Sequence, residues 1–274
     1  MAIFMKSKNK INFKNLIYGM LAIFWYKDGR KIQFGSIGVV FPIKYARYYP
    51  SNYQPDKQKF IEDYCTVGGA SLDCGAHIGL YSVILSKFSE SVISLEPTTT
   101  TYGVLLETLR MSDAMNVNAK NLAVSDISGF ANFEVNSETI SNANRIVESS
   151  SRSTTSVTTI TIDDLNRRFD FIKMDIEGSE FEALKGAQKT LHWVKAMTLE
   201  LHPKELIFRK KSVELTLNLL TPFHPVYFHE GVEVEAFSLY LFTECFEINI
   251  LLNGTRKIEN SRNIIDQAGT EIGS

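Results

Sequence analysis

The chain has 274 residues, of which 44% are hydrophobic and 22% charged, and its formal net charge is −2. This composition excludes a wholly disordered chain, a collagen-like repeat and a polycation that binds nucleic acid along its length. The charge is uneven, because residues 1–50 hold nine Lys and Arg residues and a single acid, Asp28. We interpret residues 1–55 as a basic N-terminal extension that folds over the body. A peripheral contact with an anionic membrane surface is the alternative.

Three cysteines and one apolar stretch bear on the compartment. Cys65, Cys74 and Cys245 are far apart and form no paired framework, which predicts free thiols in a reducing compartment. The apolar stretch Leu16–Tyr26 has 11 residues, whereas a membrane-spanning helix needs about 20. No small residues follow this stretch as a signal-peptide cleavage site requires. We therefore expect a cytoplasmic protein.

Strand and helix patterns alternate through the body, which we place at residues 56–254, ahead of a polar tail at 255–274. The predicted strands are Lys31–Phe34, Gly38–Ile43, Ala70–Cys74, Val92–Leu95, Asn116–Val124, Asn132–Val135, Val157–Ile162, Phe171–Met174, Ala196–Leu201, Pro225–His229, Phe237–Phe242 and Glu247–Leu252. The predicted helices are Asp56–Tyr64, Ile78–Phe88, Thr98–Met111, Glu180–Leu191 and Lys204–Leu220. Asn136–Thr155 is rich in Ser, Thr and Asn and predicts an exposed loop. This alternation predicts a mostly parallel α/β sheet with an antiparallel edge.

The first motif, Leu72–Gly79, joins a predicted strand to a helix and reads LDCGAHIG. Gly75 permits a tight turn, and Gly79 permits a close approach of the helix to the sheet or to a ligand. Asp73 ends the strand, where a carboxylate can accept hydrogen bonds from an ammonium group. Ligands of open α/β sheets bind beyond the carboxyl ends of the strands. A tight helix–strand junction without a ligand explains the glycines equally well.

The second motif is the acid Glu96, followed by Pro97, at the end of the next strand. Glu96 lies 17 residues after Gly79, close to the offset of about 20 residues at which an acid holds a ribose diol. The dinucleotide fingerprint is absent, because position 77 is His rather than Gly. A nucleoside without phosphates, such as S-adenosylmethionine (SAM), fits better than a dinucleotide.

The third motif, Phe171–Gly178, places Lys173 inside an apolar strand and carboxylates at positions 175 and 177. A lysine inside a strand needs an acidic partner. Asp175 stands at the same sheet edge as Asp73 and Glu96, so the three acids can line one cleft. We expect the acids after Asp175 to serve the following helix, with Ser179 and Glu182 as a capping box and Glu180 as an N-terminal charge.

The fourth element is Glu200 and His202, which point the same way after an extended strand. His202 can act as a general base, because its unperturbed pKa lies near 6.5, and Glu200 can orient it. His202 is interpreted equally well as a loop histidine without a catalytic role. A small metal site formed by Glu200, His202 and Asp175 is the less favoured interpretation. His192 follows a helix C-terminus and is interpreted as structural.

The order of these motifs is similar to that of a known family. LDCGAHIGLYS, SLEP, NLAVSD, TIDDL, FIKMDIEGSEFEALKGA and LELH together resemble the FkbM family of SAM-dependent methyltransferases over roughly residues 60–205. The resemblance implies a class I methyltransferase (Rossmann-like) three-layer sandwich, with a seven-stranded, mostly parallel sheet whose last strand is antiparallel. It also implies O-methylation of a hydroxyl on a sugar or polyketide-type product.

The resemblance also implies site residues. Asp73, Gly75 and Gly79 would hold the methionine end of SAM, Glu96 the ribose, the Leu122–Val124 segment the adenine, and Asp175 would lie near the sulfonium. The residues that we predict to contact the cofactor are Asp73, Gly75, Ala76, His77, Gly79, Glu96, Pro97, Leu122, Ala123 and Asp175. The predicted general bases are His202 first and Asp175 second, and no metal is predicted.

The sequence therefore predicts a SAM-dependent O-methyltransferase. The expected acceptor is a hydroxyl of a sugar or glycan-type molecule, in a surface polysaccharide, a glycolipid or a natural product. Two alternatives stay open at this point. One is a dinucleotide enzyme on a similar sheet, and the other is a non-catalytic module that binds a glycan, a lipid or a partner protein.

Overall fold

The protein is described by a computed structural model that covers residues 29–65, 68–134, 145–147 and 154–256. Its strands are β1 (Arg30–Phe34), β2 (Ile37–Phe41), β3 (Ala70–Cys74), β4 (Ser91–Leu95), β5 (Val117–Lys120), β6 (Ala123–Val124), β7 (Gly129–Glu134), β8 (Arg145–Val147), β9 (Thr154–Ile160), β10 (Phe171–Met174), β11 (Ala196–Leu201), β12 (Val226–His229), β13 (Val232–Val234) and β14 (Phe246–Leu251). Its helices are α1 (Pro55–Tyr64), α2 (Leu80–Phe88), α3 (Thr99–Met111), α4 (Glu180–Lys185), α5 (Pro203–Phe208), α6 (Val213–Asn218) and α7 (Ala236–Leu239). The apolar stretch Leu16–Tyr26 and most of the predicted tail lie outside these residues.

The main sheet has the strand order β13-β12-β14-β11-β10-β3-β4-β5. Strands β5, β4, β3, β10 and β11 run parallel, and β14 runs antiparallel to both of its neighbours. The seven strands from β12 to β5 form the sheet expected of a class I methyltransferase, which confirms the predicted fold class. Strand β13 is an eighth strand, added at the edge as the hairpin partner of β12.

Helices cover both faces of this sheet, because its central strands are apolar on both sides. Phe171 packs into a cluster with α1, α2, α3 and the β1–β2 hairpin. Its neighbours Ile172 and Met174 pack into a second cluster with α4 to α7. Successive side chains of a strand point to opposite faces, and strands buried on both faces read as continuous apolar runs. The three-layer arrangement therefore follows from the strand sequence itself.

A second, smaller sheet with the order β6-β9-β7-β8 stands beside the main sheet. Its strand β6 continues from β5 after a break at residues 121–122, so the predicted strand Asn116–Val124 is two strands in two sheets. Strand β8 pairs with β7 inside the segment predicted to be a loop. Ala123, Phe133 and Val157 form a buried cluster of their own in this sheet.

Three further predicted elements were wrong in type or extent. The predicted strand Phe237–Phe242 contains helix α7 instead, and β13 precedes it. The predicted helix Lys204–Leu220 is divided into α5 and α6, because Lys210 adopts a left-handed conformation with φ of 58°. The predicted helix Glu180–Leu191 ends at Lys185, and a separate 3₁₀ turn follows at Thr190–His192.

The described part of the N-terminal extension, residues 29–55, lies on the body. Phe34, Val39 and Phe41 of the β1–β2 hairpin are buried in the same cluster as α2 and α3. The hydroxyl of Ser112 at the end of α3 accepts a hydrogen bond from the amide of Val40 at 2.9 Å. The hairpin therefore shares the core, while the boundary at residue 55 stays a prediction.

The structure bears on two of the observations from which the compartment was predicted. The three cysteines are free thiols, as predicted. None of the helices in the described segments has the length and hydropathy that a membrane crossing requires. The cytoplasmic location itself stays a prediction.

Replacing Phe41 by Ala tests whether the hairpin belongs to the cooperative core. Phe41 is fully buried against the rings of Phe34 and Tyr49, so the free energy of unfolding should fall by about 3–5 kcal/mol. Urea unfolding followed by circular dichroism measures the change. The matched control is Phe130→Ala, because Phe130 is 80% exposed and should cost less than about 0.5 kcal/mol. Equal midpoints for the two variants would contradict a shared core.

Candidate active site

A cavity opens at the carboxyl ends of β3, β4 and β10, where the topology places the ligand site of an open α/β sheet. Together with its open mouth, it encloses about 860 Å³ of space between the atoms. The predicted cofactor residues that line it are Gly75, Ala76, His77, Glu96, Pro97, Leu122, Ala123 and Asp175. Asp73, Gly79 and His202 do not line it.

Lys173 organises the floor of this cavity from inside β10. Its ammonium group lies 3.3 Å from Asp73 Oδ1 and 3.9 Å from Asp175 Oδ2, and it donates to the carbonyl of Gly75 at 2.7 Å. Asp73 is fully buried, and its Oδ2 accepts a hydrogen bond from the hydroxyl of Ser82 at 2.6 Å. The predicted acidic partner of Lys173 is thereby confirmed. Asp73 acts on the site through Lys173 rather than by reaching the cavity.

The two motif glycines have different structural reasons. Gly75 has φ of 76°, and a Cβ there would lie 1.8 Å from the carbonyl oxygen of Asp175. The loop after β3 can therefore pass the end of β10 only without a side chain. Gly79 has φ of 98°, and a Cβ there would meet Leu105 of α3 at 2.9 Å. Gly79 thus allows α2 to start close against α3.

The carboxylate of Glu96 is held in place by backbone amides. Its Oε2 accepts from the amide of His77 at 3.0 Å, and its Oε1 accepts from the amide of Thr98 at 2.8 Å. Burial raises the pKa of Glu96 to about 7, although the hydrogen bonds from Thr98 and His77 oppose the shift. Each carboxylate oxygen has a second lone pair. Glu96 can therefore still accept hydrogen bonds from two hydroxyl groups of a ligand.

His77 presents an unsatisfied ring nitrogen at the cavity. Its Nδ1 lies 2.7 Å from the hydroxyl of Tyr49, and its ring packs against Tyr48. Its Nε2 is buried and has no hydrogen-bond partner among the described residues. Burial lowers the pKa of His77 to about 4, so the ring is neutral at physiological pH.

Glu177 is a site residue that the sequence analysis missed, since it was assigned to the following helix. It lines the cavity with Asp175 and adopts a left-handed conformation with φ of 53°. Burial raises the pKa of Glu177 to about 7, although the charge of His202 opposes the shift. The signal was present in the sequence as two acids at alternate positions after a buried strand.

His202, the first candidate base of the sequence analysis, does not line the cavity and lies among carboxylates. Its Nδ1 lies 2.8 Å from the fully buried Glu180, and its Nε2 lies 3.4 Å from Glu177. Burial opposes the charge, but hydrogen bonds with Cys245 and Glu180 and the nearby carboxylates raise the pKa of His202 to about 12. Glu180, rather than Glu200, fixes its orientation.

The predicted capping box is also wrong. The Ser179 side chain makes no capping hydrogen bond to α4, and its hydroxyl is buried without a partner in the described chain. Glu180, not Glu182, reaches back to the backbone, because its Oε1 accepts from the amide of Gly178 at 2.9 Å. Glu182 lies 3.2 Å from Arg209 instead.

Replacing Gly75 by Ala should damage both the turn and the cavity. The added Cβ requires the Asp175 backbone to move, and a left-handed alanine adds strain, so the free energy of unfolding should fall by at least about 1–3 kcal/mol. Urea unfolding checks this value. The matched control is Gly103→Ala in α3, where a Cβ meets open space and should stabilise the protein by about 0.5–1 kcal/mol. A neutral Gly75→Ala variant would contradict the close packing of the two loops.

The cavity and its sheet have counterparts in known proteins. The model of the methyltransferase FkbM domain matches residues 73–224. Among solved structures, an FkbM methyltransferase from Methylobacillus flagellatus KT is 20% identical with a TM-score of 0.43; the alignment covers 67% of this chain and 43% of that protein. This chain therefore spans less than half the length of that relative.

Two further solved structures are similar to this chain at low identity. A putative methyltransferase from Streptococcus mutans in complex with SAH is 10% identical, with a TM-score of 0.44 over 72% of this chain and 96% of that chain. TYW2 from M. jannaschii in complex with AdoMet is 12% identical, with a TM-score of 0.43 over 81% of this chain and 84% of that chain. No curated protein shows significant sequence similarity to this chain.

The family match covers more than half of the chain. It includes the end of β3, the whole of β10 and β11, and the acids between these strands. The cofactor predicted from the sequence, SAM, is the cofactor of this family. The chain belongs to the FkbM methyltransferase family.

Proposed function

We propose that the protein is a SAM-dependent O-methyltransferase. Its acceptor is a hydroxyl of a sugar or glycan-type molecule, in a surface polysaccharide, a glycolipid or a natural product. The observation that carries the proposal is the cavity at the carboxyl ends of β3, β4 and β10. Glu96, a carboxylate suited to the hydroxyls of a ribose, lines the same cavity as the acids Asp175 and Glu177.

The cavity residues suit the parts of the cofactor by their chemistry. When bound, SAM supplies the methyl group from its sulfonium. Glu96 would accept hydrogen bonds from the ribose hydroxyls. The loop of Gly75, Ala76 and His77, which lines the cavity, would meet the polar methionine end. Asp73 and Gly79 support this loop from behind rather than contact the cofactor.

An apolar wall supplies the surface that an adenine ring needs. Leu122, Ala123 and Val124 border the cavity, and Phe133 and Ile146 of the second sheet complete the wall. A purine gains free energy by leaving water for such a surface, at about 25 cal/mol for each Å² of apolar area that is buried. The prediction that residues 122–124 border adenine becomes part of the proposal.

The acceptor side of the cavity would carry the proton chemistry. A sugar hydroxyl is a poor nucleophile at neutral pH, so a base must take its proton as the methyl group is transferred. Asp175 is our proton acceptor, because it lines the cavity and burial raises the pKa of its carboxyl, although Lys173 opposes that shift. Tyr49 and Tyr53 also line the cavity, and their rings can pack against the apolar faces of a sugar. Holding the hydroxyl in line with the leaving sulfur can supply about 7–11 kcal/mol.

The affinity for SAM should rise with pH, because ribose hydroxyls donate to the ionised form of Glu96. In the protein without a ligand, the pKa of the Glu96 carboxyl is about 7. Protonated Glu96 must therefore lose its proton on binding, and the dissociation constant should be about tenfold larger at pH 6 than at pH 8. Isothermal titration calorimetry in buffers of different ionisation enthalpy measures both the affinity and the released proton. Glu96→Gln should bind more weakly and show a flatter pH dependence. A wild-type protein that is folded but binds no SAM would overturn the proposal.

Asp175→Asn should lower the turnover number by about 10²–10⁴-fold, because the amide cannot accept a proton. The assay is transfer of a labelled methyl group from SAM to glycan fractions and simple glycosides. Asp113→Asn is the matched control, because Asp113 is exposed and left-handed, a conformation that asparagine tolerates. Unchanged turnover in Asp175→Asn would remove Asp175 from the role of base. A loss of SAM binding alone would assign it to the cofactor.

A further inference from the structure

A cluster of three side chains with different ligand atoms lies behind the cavity, where β11 pairs with β14. Glu200 and Leu201 pair with Glu247 and Phe246, so the antiparallel register places His202 opposite Cys245. Glu200 and His202 are alternate residues of an extended chain and point the same way. A carboxylate and an imidazole two positions apart in the chain are thereby brought together with a thiol that lies 43 positions after His202.

The three groups are close enough to share one ion. One ligand atom from each of Glu200, His202 and Cys245 lies within 4.8 Å of the others. The Cys245 thiol is 3.2 Å from Glu200 Oε1. Cys245 is exposed, whereas His202 is 8% exposed. An ion can therefore reach the cluster from solvent and be held against the interior.

The atoms of His202 and Glu200 that an ion would not use already contact other side chains of the protein. His202 Nδ1 lies 2.8 Å from Glu180, which is fully buried. Glu200 Oε2 accepts from Gln54 at 3.3 Å and from the buried Lys57 at 3.5 Å. Metal-binding histidines almost always donate their second nitrogen to a carboxylate or carbonyl, and binding carboxylates are themselves hydrogen-bonded. The atoms left for an ion are Glu200 Oε1, Cys245 Sγ and His202 Nε2. His202 Nε2 lies 3.4 Å from Glu177 Oε2 and must lose its proton when an ion binds.

We propose that Glu200, His202 and Cys245 bind a divalent, borderline-soft metal ion, foremost zinc. A nitrogen, a sulfur and an oxygen ligand form the donor set that zinc accepts, and three protein ligands leave a fourth position for water. The thiolate and the Glu200 carboxylate balance the charge of the ion. The charge of Lys57 is balanced separately by Glu247 at 2.6 Å. The sequence analysis predicted no metal and considered Asp175 as a minor third ligand, where the structure offers Cys245.

Calorimetric titration of Zn²⁺ into the full-length protein, first treated with a chelator, tests the site. One ion should bind per chain, with a dissociation constant of roughly 1 μM or tighter. Cys245→Ser and His202→Ala should each weaken binding by more than tenfold, and Glu180→Gln by about 10–100-fold through loss of its support for His202. Glu244→Gln is the matched control, because this neighbouring acid is exposed and paired with Lys204, and its affinity should match the wild type.

Cobalt provides an independent spectroscopic readout. Co²⁺ bound to the wild-type protein should show a thiolate-to-metal charge-transfer band in the near ultraviolet, and the band should be absent in Cys245→Ser. Thermal unfolding confirms that each variant is folded. The proposal is overturned if the folded wild type takes up no Zn²⁺, or if Cys245→Ser keeps both the affinity and the band. SAM binding is measured on the same samples, so a failure here is distinguishable from a failure of the proposed function.

Discussion

The buried ammonium group of Lys173 is the interaction on which the site depends. It sits in a strand with apolar residues on both faces, where an unpaired charge is strongly unfavourable. Asp73 on the neighbouring strand and the carbonyl of Gly75 satisfy it. Removing one partner of such a pair costs about 3–5 kcal/mol, because the other charge stays buried. Lys173 therefore fixes the ends of β3 and β10 relative to each other, and with them the loop that carries His77 and the acids after β10.

Strained backbone is concentrated at the same place. Gly75, His77, Glu177 and Gly178 all have positive φ and lie within the two loops that end β3 and β10. A non-glycine residue in this region costs about 1–3 kcal/mol and persists only where its surroundings enforce it. His77 is held by Tyr49 and by the contact of its amide with Glu96, and Glu177 by His202. The strained backbone places the side chains of His77 and Glu177 at one cavity. Regular backbone at the strand ends would direct these side chains elsewhere.

The sequence predicted those features that depend on local pattern. Strands β3, β10 and β11 are short, mostly apolar runs, and their bounds were predicted to the residue. Glycines flank β3 and aspartates flank β10. Glu96 and Asp175 were predicted because both follow such runs. The break at Lys210 and the helix at Ala236–Leu239 have no comparable local signal, since the packing of α6 against α7 decides them. The charge of His202 also escaped, because it is set by Glu180 and Cys245, which are distant in sequence.

The apolar wall of the cavity belongs to the second sheet, whereas Glu96 and Asp175 belong to the first. Phe133 and Ile146 line the cavity only while β7, β8 and β9 are paired. A local opening of this sheet has its own free energy, below that of global unfolding. The apparent affinity for a ligand falls in proportion to the fraction of molecules that are competent to bind. Consider a substitution on β9, away from the cavity, that makes molecules with a paired second sheet about tenfold rarer. It would weaken cofactor binding about tenfold, although it touches no atom of the cofactor.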